Sequence, residues 1–266
     1  MADSETQENT AEGNNGSARP QPQTSSGPGI IGYISQNKID AALWMTRIFT
    51  VICSIGFLFP FFSSNPVGLY QKALISNAAT SALRMHQRLP QFQLSRDFLA
   101  RMLAEDSCHY LFFSLIFLNS FPVTLVLIPL FLFAVLHSAS FTIKLLNQIG
   151  PNSLPPVRNL MAKLQLNQQA VLRFIAITEI LLMPGIVFML IGGKTSILMP
   201  FVYYRFLTLR YSSRRNPYSR QIFGELRIKA EQVVMNPNCP GIVRNLLRKS
   251  IDVISKLAPQ IEPQQQ

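Results

Sequence analysis

The hydrophobic positions of this chain fall into long, nearly uncharged runs that alternate with polar, basic segments. The longest run covers residues 107–143, with no charged residue between Asp106 and Lys144. A membrane-spanning helix needs about 20 apolar residues, and helices of soluble cores rarely continue so far without a charge. The pattern therefore predicts an integral membrane protein. As one straight helix, the 37 residues of this run would extend about 55 Å across a hydrocarbon layer of about 30 Å, so the run must bend.

The bend is predicted at Asn119 and Pro122. Proline ends a helix at the preceding residue, and asparagine favours turns. The two resulting legs have about 14 and 21 residues, so the first is too short to cross a bilayer of ordinary thickness. The run is either a shallow helical hairpin, which occupies more area in one leaflet than in the other, or a single kinked span with a foot at the interface.

An earlier apolar run, residues 43–62, predicts a first span that ends at Pro60. Arg47 is its only charge, and a charge near the edge of a span usually snorkels to the lipid headgroups. Residues 67–88 have helical propensity but are only moderately apolar. They form either a second leg that returns through the membrane or a helix at the interface.

A third apolar run, residues 174–204, is interrupted by Pro184 and Gly185 and again near Lys194. This pattern predicts two pieces on either side of a turn of small residues. In the polar segment between the first two runs, Ser95 is a candidate N-cap for a short helix.

Lysine and arginine concentrate in the polar segments. Residues 63–106 hold five, residues 144–169 hold three and residues 205–266 hold eleven. Cytoplasmic segments of membrane proteins carry such an excess, so all three are expected on the cytoplasmic side, together with the carboxyl terminus. Single crossings would place successive segments on opposite sides. Helical hairpins remove this conflict, because each hairpin returns the chain to the side from which it started.

Composition agrees with a membrane protein and limits the other classes. Hydrophobic residues make up 48% and charged residues 14%, whereas soluble domains usually carry about 25% charged residues. The net charge of +11 lies beside apolar runs, which favours an anionic membrane over nucleic acid as the partner. The cysteines (Cys53, Cys108 and Cys239) lack paired spacing, so neither a disulfide framework, a zinc site nor any other cofactor is predicted.

These features divide the chain into four regions. We predict a disordered tail over residues 1–34, a helical membrane domain over residues 35–209, a basic, cytosolic, amphipathic helical region over residues 210–258 and a disordered tail over residues 259–266. The expected fold class is all-α, a multi-pass membrane protein with helical hairpins and carboxyl-terminal amphipathic helices.

Arginine and tyrosine interleave directly after the last apolar run. Guanidinium groups bind lipid phosphates, and amphipathic aromatic rings settle at the membrane interface. We therefore predict a belt at headgroup level formed by Arg205, Arg210, Arg214 and Arg215.

Residues 242–257 separate into an apolar half and a basic half when drawn as a helix. This division is typical of a helix that lies in the plane of a membrane surface. The residues predicted to bind the surface are Ile242, Leu246, Leu247 and Ile254 on the apolar face and Arg244, Arg248, Lys249 and Lys256 on the basic face. Alternatively, the apolar face packs on the preceding amphipathic segment, residues 218–234, and both arrangements can hold in different states.

Catalytic patterns are missing from the sequence: it has no P-loop, Rossmann fingerprint or HExxH motif. Glu105 and His109 share a helix face, but Cys108 does not, so a metal site there would be incomplete. The chain is therefore not expected to be an enzyme.

Glu179 is the one acid inside an apolar run. An ionisable group within the membrane is a functional hypothesis by default. Its candidate partners are Arg47 and Arg173, unless the carboxylate lies near the headgroups.

Three long motifs resemble a known family. They are SALRMHQRLPQFQLSR from Ser81, EDSCHYLFFSLIFLNSFPVT from Glu105 and YYRFLTLRYSSRRNPYSR from Tyr203. All three are similar to the transmembrane protein 33 family, also called Krüppel homologue 2 and related to fungal pore-membrane proteins. The resemblance covers about residues 35–258. It implies a multi-pass protein of the endoplasmic reticulum and nuclear envelope without enzymatic activity. It also implies partnership with reticulon-type tubule-shaping proteins, a role near nuclear pores and links to the unfolded protein response.

The leading functional hypothesis is a membrane-shaping and scaffolding protein, in which wedge-like hairpins set curvature and the basic carboxyl-terminal helix reads anionic lipid. A second hypothesis is a regulator of a channel or stress sensor that acts through helix contacts, with the small-residue face of residues 76–82 as its contact surface. A third, an ion or lipid transporter, depends on Glu179.

Overall fold

The computed structural model describes residues 30–59, 65–89, 95–150, 152–213 and 216–257, and every regular element in these ranges is an α-helix. In chain order the helices are α1 (Ile30–Gln36), α2 (Lys38–Leu58), α3 (Pro66–Arg88), α4 (Arg96–Leu103), α5 (Asp106–Leu118), α6 (Thr124–Ile149), α7 (Pro155–Leu166), α8 (Gln168–Ile191), α9 (Met199–Ser212), α10 (Tyr218–Met235) and α11 (Gly241–Leu257). The all-α class is confirmed. Helix α1 begins inside the segment predicted as a disordered tail, and residues 1–29 and 258–266 lie outside the described ranges.

Helices α2 and α3 form the first hairpin. The Ser76 hydroxyl donates to the Thr46 carbonyl at 2.7 Å, and the Thr80 hydroxyl donates to the Thr46 hydroxyl at 2.8 Å. Nearer the turn, Gly56 lies so close to Leu69 that an added Cβ would come within 2.9 Å of the leucine Cδ1. These contacts pair the start of one helix with the end of the other, so the legs are antiparallel.

Helices α5 and α6 form the second hairpin, around the predicted break at Asn119 and Pro122. The rings of Tyr110 and Phe133 meet with centroids 4.6 Å apart, and they lie almost equally far from the break along their helices. The two legs therefore run side by side in opposite directions. They have 13 and 26 residues, so they are unequal, as the sequence predicted.

Helices α8 and α9 form the third hairpin. Its turn lies at residues 192–198, but the predicted interruption at Pro184 and Gly185 is wrong, because α8 continues through both residues. Proline removes a single backbone donor, which membrane helices tolerate. The neighbours Leu182 and Ile186 are both buried in the main hydrophobic core, and this packing holds the helix across the proline.

The three hairpins turn at the same end of the bundle, which we call the turn end. Their connecting segments, residues 59–65, 119–123 and 192–198, contain only one basic residue, Lys194. The opposite, open end carries α4, α7, α10 and α11, and with them the three basic segments. This arrangement agrees with the loop-charge prediction, which required all three basic segments to lie on one side.

Each hairpin pairs one apolar, span-length helix with a shorter or more polar leg. Within the described residues, α2, α6 and α8 are long and apolar enough to cross a membrane. Helices α5 and α9 have only 13 and 14 residues, and α3 is long enough but carries Lys72, Arg84 and Arg88. The main core lies between the legs and is rich in aromatic rings, among them Phe113, Phe117, Tyr203 and Phe206.

Candidate functional site

A buried ion pair joins the two helices of the third hairpin, and a hydrogen bond connects it to the second hairpin. The Glu179 carboxylate on α8 accepts from the Arg210 Nε on α9 at 3.1 Å, and both side chains are 0% exposed. The Tyr110 hydroxyl on α5 also donates to this carboxylate, and the Tyr203 hydroxyl donates to the Glu179 backbone carbonyl at 2.7 Å. Glu179, the acid within the apolar run, is thus ion-paired and hydrogen-bonded inside the protein.

Asp106 extends this pair towards the open end. Arg210 Nη1 lies 3.2 Å from Asp106 Oδ1, and the Ser213 hydroxyl donates to the same oxygen at 2.8 Å. The Asp106 side chain is 27% exposed, so the network reaches the surface where α5 begins and α9 ends. We call these groups the Glu179–Arg210–Asp106 network. The network combines one arginine with two carboxylates. Removing Arg210 would leave the buried Glu179 carboxylate without a cation, whereas removing Glu179 would leave Arg210 with only the partly exposed Asp106 as its counterion.

The predicted partners of Glu179 are wrong. Arg47 donates instead to the His137 carbonyl at 3.1 Å, and Arg173 pairs with Glu225 at 2.8 Å. Arg47 does not snorkel to the headgroups either, because only 9% of this residue is exposed. Hairpin packing brings Glu179 to Arg210, and no local spacing in the sequence encodes that contact.

Arg210 does not belong to the predicted belt at headgroup level. Its side chain lies in the network and does not face lipid, whereas Arg205 is exposed on another face of α9. Residues five apart on a helix differ by about 140°, so one lipid-facing belt cannot include both. Arg214 and Arg215 lie outside the described residues.

The predicted pair of Glu105 and His109 separates into two different sites. Glu105 accepts from Arg88 at 2.6 Å. The His109 ring is buried and its Nε2 lies 2.6 Å from the Leu103 carbonyl. Among the described residues, no group of three or more histidine, cysteine, aspartate or glutamate side chains could hold a metal ion.

The small-residue face of α3 packs inside the bundle. Ser76, Asn77, Thr80 and Ser81 are buried, and their partners lie on α2 and α5; the Asn77 amide, for example, donates to the Ser114 hydroxyl at 2.8 Å. These four residues therefore cannot be the partner-contact surface that the sequence suggested for a regulator.

Buried and half-buried polar side chains lie at a similar depth on all six hairpin helices. Each is 11 to 14 residues from the turn end of its helix, which corresponds to about 16–21 Å. The residues are Arg47, Asn77, Asp106, Ser138, Glu179 and Arg210. We call this set the polar layer.

Helix α11 packs part of its apolar face on α10, which is one of the two arrangements that the sequence left open. Leu247 is half-buried and α11 contacts α10, but Ile242, Leu246 and Ile254 are 85%, 64% and 52% exposed. One edge of the apolar face thus packs on α10 and the other edge is free. Arg248, Lys249 and Lys256 are exposed on the basic face.

Arg244 differs from the other predicted surface cations. Its Nη2 donates to the Asn236 carbonyl at 3.2 Å and to the Cys239 carbonyl at 3.4 Å, just beyond the end of α10. Arg244 therefore ties α11 to the preceding segment, and its guanidinium is only partly available to lipid.

The fold and these sites define a helical, multi-pass membrane protein built from three hairpins. A family model described as "Transmembrane protein 33/Nucleoporin POM33" matches residues 21–260, and the chain belongs to this family. It is 55% identical over 241 residues to human and rat proteins named transmembrane protein 33, covering 90% of this chain and 98% of each relative. It is 41% identical over 234 residues to Krueppel homolog 2 of Drosophila melanogaster, covering 88% of this chain and 84% of that protein. No solved structure matches the chain.

Proposed function

We propose that this protein is a non-enzymatic membrane-shaping and scaffolding protein of the endoplasmic reticulum and nuclear envelope, where it organises tubule or pore membranes. The observation that carries the proposal is the uneven build of the bundle. The three hairpins turn at one end, while α4, α7, α10 and α11 all lie at the other.

A membrane protein that is wider at one end occupies more area in one leaflet and bends the bilayer towards the other. The basic segments lie at the wide end. The positive-inside rule therefore supports a cytosolic location for this end and for the carboxyl terminus. Insertion with this orientation expands the cytosolic leaflet, which is the outer, convex leaflet of a tubule of the endoplasmic reticulum.

Helix α11 is proposed to bind the same cytosolic membrane surface. Its exposed Ile242, Leu246 and Ile254 provide apolar side chains that can enter the headgroup region, and its exposed cations can meet anionic lipid. Each lysine or arginine near an anionic surface contributes about 1 kcal/mol to the free energy of membrane binding. The helix thus adds binding area in the leaflet that the hairpins already widen.

Scaffolding would connect this shape to other membrane proteins. The resemblance points to reticulon-type proteins, to nuclear pore components and to the unfolded protein response, and the family description contains the word nucleoporin. Nucleic acid is not a proposed partner, because the basic residues flank membrane helices and form no separate soluble module.

The test is reconstitution of the full-length protein at increasing density in vesicles of phosphatidylcholine and phosphatidylserine, with diameters measured by electron cryomicroscopy. We expect narrower vesicles and tubules as density rises. Diameters that stay constant at every density would refute the proposal.

A variant pair isolates the contribution of α11. Leu246→Gln with Ile254→Gln should weaken the effect, whereas Leu160→Gln with Leu166→Gln, which alters exposed leucines on α7, should leave it intact. Equal effects of the two pairs would remove α11 from the mechanism and leave the hairpins as its basis.

A further inference from the structure

A polar cavity of about 380 Å³ lies at the open end between α2, α3, α6 and the junction of α7 with α8. Its volume falls within the range of about 300–1,000 Å³ that is usual for small-ligand sites. The lining side chains are Arg47, Arg84, Leu136, His137, Ser140, Gln165 and Gln168. The lining contains two arginines and no acid.

Arg47 is the more deeply buried of the two arginines that line this cavity. Its one hydrogen bond among the described residues runs from Nη1 to the His137 carbonyl at 3.1 Å. A guanidinium has five N–H donors, so most of them remain available to a ligand. Since 91% of this residue is withdrawn from solvent, an anion held there would be recognised in a medium of low dielectric.

Arg84 contributes the second cation, and it forms no ion pair within the described part of the chain. Burial, and then repulsion by Arg88, lower the pKa of this guanidinium below its usual value. Asp40, Glu105 and Asp106 act on this pKa in the opposite direction, but none of them forms an ion pair with Arg84 within the described residues: Glu105 accepts from Arg88, and Asp106 belongs to the buried network. An anion bound beside Arg84 would therefore relieve an existing repulsion.

Neutral polar groups complete the lining. The Gln165 amide donates to the Ser140 hydroxyl at 3.0 Å, and the exposed side chain of Gln168 lies close by at the start of α8. Amide and hydroxyl donors beside two arginines match the several oxygens of a phosphate group, which arginine binds in a bidentate manner.

We propose that this cavity binds a phosphate group, carried either by an anionic lipid that enters from the open-end leaflet or by a soluble phosphorylated compound. Arg47 and Arg84 hold the phosphate oxygens, and Ser140, Gln165 and Gln168 provide the surrounding donors. The site is separate from the exposed face of α11 and does not depend on the membrane-shaping proposal.

The experiment measures binding of dioctanoyl phosphatidic acid and of inorganic phosphate to the full-length protein in a neutral detergent. Arg84→Gln removes a cation that makes no ion pair in the described structure, and it should weaken binding about tenfold or more, the loss expected for one charge-assisted contact. Lys72→Gln is the matched control, because Lys72 is an exposed cation on the same helix outside the cavity.

The two probes distinguish the sources of the phosphate. If both bind and both are weakened by Arg84→Gln, a soluble phosphate compound suffices. If only the lipid binds and is weakened, the ligand is a headgroup. If neither probe binds, or if Arg84→Gln and Lys72→Gln behave alike, the proposal is wrong.

A second variant tests the site without removing an arginine. Gln168→Glu places a carboxylate in the lining and should also weaken binding about tenfold, because it repels the phosphate. Gln221→Glu on the exposed surface of α10 should not weaken it, and neither should Arg248→Gln on α11. Binding that falls with Arg248→Gln but not with Gln168→Glu would assign the lipid to the α11 surface and overturn the cavity site.

Discussion

At the scale of single residues, the Glu179–Arg210–Asp106 network sets the most demanding condition on the fold. Both Glu179 and Arg210 are 0% exposed, so neither charge can relax into water if its partner is lost. The pair joins α8 to α9, Tyr110 adds α5, and Asp106 carries the network to the surface. A buried pair of this kind is costly to break by removing one partner, even where an apolar pair of similar volume would be tolerated.

Glu179→Gln should therefore lower the free energy of unfolding by about 1–3 kcal/mol, because Arg210 loses its fully buried counterion and keeps only the partly exposed Asp106. Glu225→Gln is the matched control. It breaks an exposed ion pair with Arg173, at a cost of about 0–1 kcal/mol. Thermal unfolding of the two variants in the same detergent compares them.

Adding Arg210→Met to Glu179→Gln should recover part of the loss, since it removes a fully buried charge whose one remaining counterion, Asp106, is partly exposed. If Glu179→Gln and Glu225→Gln melt at the same temperature, the buried pair does not contribute as proposed.

At the scale of helices, features encoded locally were predictable. The Asn119 and Pro122 break lies between α5 and α6, and Ser95 caps α4 by accepting from the Phe98 amide at 3.1 Å. Features created by packing between helices were not predictable from the sequence. Helix α8 continues through Pro184 because the neighbouring side chains are buried in the core. Arg210 faces the interior because Glu179, which is distant in the sequence, lies opposite it.

The direction of the hairpins gives a topology prediction. In a Cys239→Ser background, Asn152→Cys and Asn238→Cys should react with a membrane-impermeant maleimide from the same side of sealed vesicles, whereas Asn119→Cys should not react from that side. The reason is that residue 119 lies at the turn end and the other two lie at the open end. The remaining cysteines, Cys53 and Cys108, are buried and should stay silent.

Labelling of Asn119→Cys from the same side as Asn152→Cys would contradict the hairpin arrangement. Labelling of Asn152→Cys and Asn238→Cys from opposite sides would contradict the grouping of the basic segments at one end.

At the scale of the whole molecule, the bundle and α11 have separate roles. None of the described side chains of α11 is buried, whereas all six hairpin helices contribute to the buried interior. Stability should therefore depend on the hairpins, and sensitivity to lipid charge on α11.

Ending the chain after Asn236 should leave the melting temperature in detergent unchanged while removing the effect of phosphatidylserine on vesicle diameter. A chain that ends after Leu257 is the control, because it keeps α11. A large fall in melting temperature after the shorter truncation would mean that packing of α11 on α10 is part of the folded core.

The short legs and the polar layer also affect which bilayer thickness fits this protein best. Helices α5 and α9 extend only about 20 Å, and the polar layer begins at a similar depth from the turn end. A thick bilayer must deform or thin around such a protein, at a cost of a fraction of a kcal/mol for each ångström of mismatch. The bilayer of the endoplasmic reticulum, about 27 Å, needs less deformation than a plasma membrane of about 32–33 Å. For the short legs, hydrophobic mismatch thus favours the thinner membrane.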